Sequence, residues 1–227
     1  MSTPTTSESI DRVERLRVRR LVTWAAVRVR EHPVLVGVFL IAGALGYVPL
    51  LGGLPAFLAT TFALGVAFAF VADDLALRSR GLGAVAAAVR ERYVTLLVVS
   101  LAYAGAVFVG LLLLVLPGVY VAVRLSPALA VATLDDRGVA DSLRHGWAIG
   151  KGSVLRLGGV FLAMFVLQAT VAATLGLISP DLTTSGVPPV ALNAVSAPIL
   201  AAAIAHVALE SRDDEEPAGD LTATAIA

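Results

Sequence analysis

Residues 111–138, LLLLVLPGVYVAVRLSPALAVATLDDRG, decide the topology of the chain. The apolar run begins at residue 94, so one helix from 94 to 134 would be about 60 Å long, twice the hydrocarbon thickness of a bilayer. The alternative is a turn at Pro117 and Gly118 followed by a return span. Short loops that carry basic residues are favoured on the cytoplasmic side of the membrane. Only the return span places every basic connection of the chain on one side. We therefore predict a separate span over residues 118–134.

The composition is that of an integral membrane protein. Of the 227 residues, 58% are hydrophobic and 15% are charged, whereas soluble domains average about 45–50% and about 25%. The formal net charge is zero, so the chain lacks the excess positive charge that is typical of nucleic-acid binding. The chain has no cysteine, so disulfides and thiolate metal sites are excluded.

Apolar runs of about 20 residues predict an all-α membrane domain over residues 32–210, with six transmembrane helices in three hairpins. The predicted spans are residues 33–51, 55–72, 94–116, 118–134, 154–178 and 190–209. Amphipathic cytoplasmic helices precede the odd-numbered spans. The predicted location is the cell (plasma) membrane, with both termini in the cytoplasm.

The two ends of the chain differ in charge. Residues 1–8 are rich in Ser and Thr, residues 211–227 are acidic, and both segments are predicted to be disordered. Residues 9–31 predict a basic amphipathic helix. This helix either lies on an anionic membrane surface with Trp24 at the headgroup level, or is an ordinary solvated helix leading into the first span.

The odd-numbered spans begin at Pro33, Val94 and Val154, about 60 residues apart, and each follows a basic segment. This spacing is typical of an internal repeat whose unit is a surface helix followed by a transmembrane hairpin. Any hairpin protein with basic cytoplasmic connections would show the same pattern. Residue identity between the units is slight, so the sequence leaves both interpretations open.

Six residues are candidates for a structural role or a ligand contact. They are Pro117, Gly118, Arg124, Trp147, Gln168 and Asn193. Arg124 is the strongest, because an arginine inside a span costs about 2.5–3.5 kcal/mol at the bilayer centre. It lies about six residues past the predicted turn, and there it either faces a cavity that binds an anionic headgroup or solute, or binds the carbonyl left unpaired by Pro127. A polar cluster of Arg124, Gln168 and Asn193 is a further hypothesis.

Two acidic pairs, Asp73-Asp74 and Asp135-Asp136, lie at the cytoplasmic ends of the second and fourth spans. They either form a cation site or end their helices in solvent, and the second interpretation is the more common one. The sequence has no pattern of catalytic residues and no zinc-ligand spacing. We therefore expect no catalytic, cofactor or metal site, and no enzymatic activity.

The opening stretch and its continuation resemble a known group of families. The residues that carry the resemblance are Pro117-Gly118, Arg124, Asp136-Arg137, Ser142-Leu143-Arg144, Trp147 and Lys151-Gly152. They are similar to uncharacterised prokaryotic membrane-protein families related to the membrane domain of glycerophosphodiester phosphodiesterases. His145-Gly146 departs from the small or polar residue that usually precedes the tryptophan. The resemblance covers residues 111–156 and implies a polytopic membrane domain that lacks the catalytic barrel of those enzymes.

The predicted function is that of a non-enzymatic integral membrane protein that organises lipids or partner proteins. The alternative is a small-solute transporter or channel with a polar path at Arg124, Gln168 and Asn193. The predicted partners are the lipid bilayer and either a membrane protein or a second copy of the chain, with no nucleic acid. An intramembrane enzyme would need two titratable groups at one depth, and the sequence offers none.

Overall fold

The computed structural model describes residues 6–46, 53–76, 78, 80–178 and 187–213. These residues are helical apart from short connections, and no strand occurs among them, as the all-α prediction requires. The helices are α1 (Thr6–Glu31), α2 (Pro33–Leu45), α3 (Gly53–Leu75), α4 (Leu82–Glu91), α5 (Tyr93–Leu113), α6 (Val115–Leu125), α7 (Pro127–Leu134), α8 (Val139–Ile178) and α9 (Val187–Asp213).

Among the described residues, five helical stretches are long and apolar enough to cross a membrane. They are α3, α5, the combined α6–α7 stretch Val115–Leu134, α8, and Val187–Ser211 within α9. The 13-residue α2 is apolar but shorter, and residues 47–52, which complete the predicted first span, lie outside the described residues. By the length and composition of these helices, the chain is a multi-pass membrane protein.

Helices α3, α7 and α9 contact one another and form the centre of the bundle. Around them, α2 packs on α3 and α9, α5 packs on α3 and α6, and α8 packs on α6, α7 and α9. The central helices contain fully buried alanines, namely Ala63, Ala67, Ala128, Ala201 and Ala205. Small residues let helices approach closely in lipid, where packing rather than the hydrophobic effect drives association.

The outer helices α5 and α8 expose large apolar side chains. Examples are Val94, Leu101, Phe108, Leu162 and Phe165. A soluble protein rarely exposes so much contiguous apolar surface. In a bilayer the same surface contacts lipid tails at no cost.

The turn between α5 and α6 is at Leu114, and not at Pro117-Gly118 as predicted. Leu114 has an extended backbone, with φ −165° and ψ 148°, and α6 begins at Val115. Pro117 therefore lies in the first turn of α6, where its missing N–H removes no intrahelical hydrogen bond. Gly118 contacts α5, since a Cβ added there would lie 2.6 Å from the backbone nitrogen of Leu111. The prediction failed because no polar residue marks the turn within this apolar run.

Helix α8 runs for 40 residues without a break. The prediction divided it into a surface helix over residues 138–151 and a span over residues 154–178. Lys151 and Gly152 favoured that division, but an internal glycine costs a helix only about 1 kcal/mol. No proline occurs between Val139 and Ile178 to end the helix. At 1.5 Å per residue, α8 is about 60 Å long.

Other predicted boundaries also differ from the structure. Helix α1 begins at Thr6, so residues 6–8 are helical, and residues 1–5 lie outside the described part of the chain. Helix α9 continues to Asp213, and residues 214–227 of the predicted tail are not described. The span predicted over residues 118–134 is interrupted at Ser126, where the helix breaks before a proline.

Candidate functional site

Arg124, the strongest candidate from the sequence, lies against two aromatic side chains. Its guanidinium carbon is 4.0 Å from the centroid of the Trp147 ring and 5.6 Å from that of Tyr120. Arg124 Nη1 also donates a hydrogen bond to the Tyr120 hydroxyl. An aromatic face attracts a cation by about 0.5–2 kcal/mol, depending on desolvation. We refer to Arg124, Tyr120 and Trp147 as the Arg124 stack.

Two glycines of α8 bring Trp147 against Arg124. A Cβ added at Gly150 would lie 1.9 Å from the Arg124 carbonyl oxygen, and one added at Gly146 would lie 2.3 Å from the backbone nitrogen of Ala128. Neither position accepts a side chain without a shift of backbone, so α8 touches the backbone of α6 and α7 directly. Glycines four residues apart lie on one helix face and permit such close approach. The stack is therefore a consequence of glycine-mediated helix packing.

The structure changes the predicted position of Arg124 along its helix. Because the turn is at Leu114, Arg124 lies ten residues beyond it, or about 15 Å by helix rise, and not six residues. That places Arg124 at the middle of the Val115–Leu134 stretch. It also contacts Trp147, which the sequence analysis assigned to a surface helix on the cytoplasmic side. The predicted location of Arg124 near the outer turn is therefore wrong.

Ser126, and not Arg124, binds the carbonyl group that Pro127 leaves unpaired. Pro127 has no N–H to donate to the Val123 oxygen, and Ser126 Oγ donates to that oxygen over 2.9 Å. Arg124 Nε is buried and has no hydrogen-bond partner among the described residues. The guanidinium is thus oriented by aromatic rings and not by the carbonyl of its own helix.

The chemistry of the Arg124 stack suits an anionic oxygen. In the part of the chain that the structure describes, no carboxylate forms an ion pair with Arg124. A guanidinium presents donors in a planar fork that matches carboxylate and phosphate groups. An arginine held in place but not neutralised by protein is therefore a candidate contact for an anionic headgroup.

Gln168 and Asn193 do not join Arg124 in the predicted polar cluster. Gln168 Nε2 of α8 donates a hydrogen bond to Ser196 Oγ of α9 over 2.9 Å. Asn193 is exposed on the outside of the bundle. The hydrogen bond between Gln168 and Ser196 satisfies a polar group between two apolar helices, which is a structural role.

The two acidic pairs are engaged by arginines at the ends of α3 and α7. The ion pairs are Arg80–Asp73, Arg28–Asp74 at 2.8 Å, Arg137–Asp135 at 3.1 Å and Arg92–Asp136 at 3.8 Å. The hydrogen bond with Asp73 is the main cause that raises the pKa of Arg80 above its ordinary value. Over the described ranges, no group of three or more potential metal ligands occurs. The pairs hold helix ends together, and Asp73 and Asp135 are buried, whereas the simpler prediction placed these helix ends in solvent.

A cavity that the sequence did not predict lies between α1, α8 and α9. Its volume is about 470 Å³, and its lining residues are Arg20, Leu21, Trp24, Arg156, His206 and Glu210. Arg156 Nη2 lies 2.8 Å from Glu210 Oε2, and the rings of Trp24 and His206 are 4.6 Å apart. Trp24 stood out in the sequence as an interfacial residue, but nothing there indicated its partners on two distant helices.

Comparisons with known proteins give no family for this chain. No family model, curated protein or solved structure matches it. Nothing in them links the chain to the membrane domain of glycerophosphodiester phosphodiesterases, so the resemblance of residues 111–156 stays a prediction.

Proposed function

We propose that this chain is a non-enzymatic multi-pass protein of the cell membrane that organises anionic lipids. In this proposal it crosses the bilayer six times in three hairpins, with both termini in the cytoplasm. Helix α2 supplies the remaining span, which is the first in chain order. Surface helices α1 and α4 lie along the cytoplasmic face, where basic residues are favoured.

The observation that carries the proposal is the Arg124 stack. A cation in an apolar stretch is costly unless it is paired or reaches the interface. Within the described residues Arg124 has aromatic neighbours and no carboxylate partner. A lipid phosphate would supply the missing negative charge and would accept hydrogen bonds from the guanidinium.

The surface of α1 supports the same function. Leu21 and Ala25 are buried against the bundle, whereas Arg19, Arg20 and Arg30 are exposed. The helix therefore packs its apolar face against the bundle and presents its basic side chains to the outside. Each such residue near an anionic leaflet contributes about 1 kcal/mol of attraction.

Lipid retention tests the proposal. The protein is extracted from a bacterial membrane in mild detergent, and the bound lipids are quantified by mass spectrometry against the total membrane. We expect phosphatidylglycerol to be enriched over phosphatidylethanolamine, and Arg124→Ala to reduce that enrichment. Arg144→Ala is the matched control, because the Arg144 side chain is 84% exposed and lies on the same helix as Trp147. No enrichment in the wild type, or an equal loss in both variants, would contradict the proposal.

The alternative of a solute path has less support. Such a path needs Arg124, Gln168 and Asn193 to face one channel, whereas Gln168 is bonded to Ser196 and Asn193 is exposed. A membrane-protein partner or a second copy of the chain remains compatible with the proposal, since the exposed apolar surface of α5 and α8 would accept either. If the protein moved a solute into liposomes and Arg124→Ala abolished that movement, the solute path would become the better supported function.

A further inference from the structure

We infer that the cavity between α1, α8 and α9 is a second site, which binds a phosphate group of a lipid headgroup or of a free phosphate ester. This inference depends on the proposed function in one respect, which is the placement of the bundle in a bilayer. Its residues are separate from the Arg124 stack. Two guanidinium groups line the cavity, Arg20 from α1 and Arg156 from α8, together with the imidazole of His206 from α9.

Two of the residues that line the cavity each have a side-chain nitrogen that the protein leaves unused. Arg156 Nε and His206 Nδ1 are both buried and have no partner among the residues that the structure describes. Glu210 engages a different nitrogen of Arg156, Nη2. Buried polar groups are normally hydrogen-bonded, so an unpartnered nitrogen on each of two lining residues favours an acceptor from outside the protein. A phosphate oxygen is such an acceptor, provided that the imidazole carries its proton on Nδ1.

An internal repeat in the chain distinguishes the cavity residues that all of its units share from those that only one unit has. Arg28, Arg92 and Arg156 follow one another at intervals of 64 residues. Each pairs with an acidic residue at the end of a central helix, in the pairs Arg28–Asp74, Arg92–Asp136 and Arg156–Glu210. The same interval relates two sets of buried positions, Leu21, Val85 and Ile149, and Ala25, Val89 and Ser153. Each of the three units therefore has one arginine–acid pair and the same two buried positions.

In this register, each of the cavity's other side chains, Arg20, Trp24 and His206, occurs in one unit only and has no counterpart in the other two. The positions of Arg20 and Trp24 hold Ala84 and Ala88 in one unit, and Ala148 and Gly152 in the other. The position of His206, four residues before the acid, holds Phe70 and Ala132. At each of these three positions, the two units that do not supply the cavity residue have a small or apolar residue instead. These three side chains are additions to the repeat, and together they surround one cavity.

The position of the cavity favours the headgroup level of a membrane. Residues 157–178 of α8, which follow Arg156, include no charged residue, and the apolar part of α9 ends before Glu210. The cavity therefore lies where the apolar surface of the bundle gives way to charge. Tryptophan is typical of that level, and guanidinium groups are typical of phosphate recognition.

The two tryptophans of the chain allow each site to report its own occupancy. Trp147→Phe leaves Trp24 as the only indole, inside the cavity, and Trp24→Phe leaves Trp147 in the Arg124 stack. Delipidated protein in detergent is titrated with dioctanoyl phosphatidylglycerol, glycerol phosphate, inorganic phosphate and dioctanoyl glycerol, and tryptophan emission is recorded. We expect a saturable change at Trp24 with a phosphate-bearing ligand and none with dioctanoyl glycerol. A response to the lipid alone assigns the headgroup, and a response to glycerol phosphate or inorganic phosphate assigns free phosphate.

Variants separate binding from folding. In the Trp147→Phe background, Arg20→Ala and His206→Phe should each weaken binding roughly tenfold, the loss of one charge-assisted hydrogen bond. His206→Phe introduces the residue that Phe70 supplies in another unit, so it should leave the melting temperature unchanged. Arg144→Ala is the matched control, because the Arg144 side chain is 84% exposed, lies on the same helix as Arg156 and is absent from the cavity lining.

Three results would overturn the inference. They are no saturable change at Trp24 with any phosphate ligand, an equal change with dioctanoyl glycerol, or the same loss of affinity in Arg144→Ala as in Arg20→Ala. Failure of the proposed function has a different signature, because the emission of Trp147 would then fail to respond to phosphatidylglycerol while that of Trp24 responds.

Discussion

Replacing Gly150 by alanine tests the helix contact on which the Arg124 stack depends. In an open helical position, Gly→Ala stabilises by about 0.5–1 kcal/mol, because it reduces the entropy of the unfolded chain. At Gly150 the new methyl group would lie 1.9 Å from the Arg124 carbonyl oxygen, which is backbone and cannot rotate away. Overpacking of this kind costs about 1–3 kcal/mol. Gly152, on the same helix, has no atom within 4 Å of its Cβ position.

The two alanine variants should therefore differ in stability by about 2–3 kcal/mol, with Gly152→Ala the more stable. Both are made in the Trp24→Phe background, so that emission comes from Trp147 alone. Equilibrium unfolding is followed during titration of dodecyl maltoside micelles with sodium dodecyl sulfate. Gly150→Ala should also shift the native emission of Trp147, because the indole separates from the Arg124 guanidinium. Equal unfolding free energies, with unchanged native emission, would refute a direct contact of α8 with α6.

Two further predictions concern single interactions. Ser126→Ala should lower the unfolding free energy by about 1 kcal/mol, because the Val123 oxygen loses its hydroxyl donor next to a proline. Ser211→Ala removes the same type of bond within a continuous helix and should change stability by less than about 0.5 kcal/mol, and an equal effect of the two would contradict this reasoning. A double-mutant cycle on Arg28 and Asp74 should give a coupling of about 0.5–1 kcal/mol that falls in 1 M salt, since the pair is part-exposed; no coupling at low salt would argue against the ion pair.

The helices were predictable because apolar runs of sufficient length have few alternatives to a membrane helix. Pro33 and Tyr93 mark helix starts at or next to the predicted ones. The position of the second turn was not predictable in the same way. Leucine fills residues 111–114, so nothing in the local chemistry distinguishes Leu114 from its neighbours. The close contacts at Gly118 decide the register instead, and they depend on tertiary packing.

The Arg124 stack was only half predictable. A lone arginine in an apolar stretch is visible in the sequence, and so is Trp147, but their contact depends on how α8 packs against α6 and α7. The available signal was the spacing of Gly146 and Gly150 around Trp147, which is the pattern of a close helix contact. The cavity between α1, α8 and α9 needed more, because its residues come from three helices that are far apart in the chain.

The most direct test of the account is the side of the membrane on which each connection lies. Alkaline phosphatase and green fluorescent protein are fused in parallel after Arg137 and after Ser185, in cells that express the full preceding chain. The proposed arrangement predicts fluorescence after Arg137, which is cytoplasmic, and phosphatase activity after Ser185, which is on the opposite face. Both positions reporting the same side would contradict the three-hairpin arrangement and the cytoplasmic placement of the cavity between α1, α8 and α9.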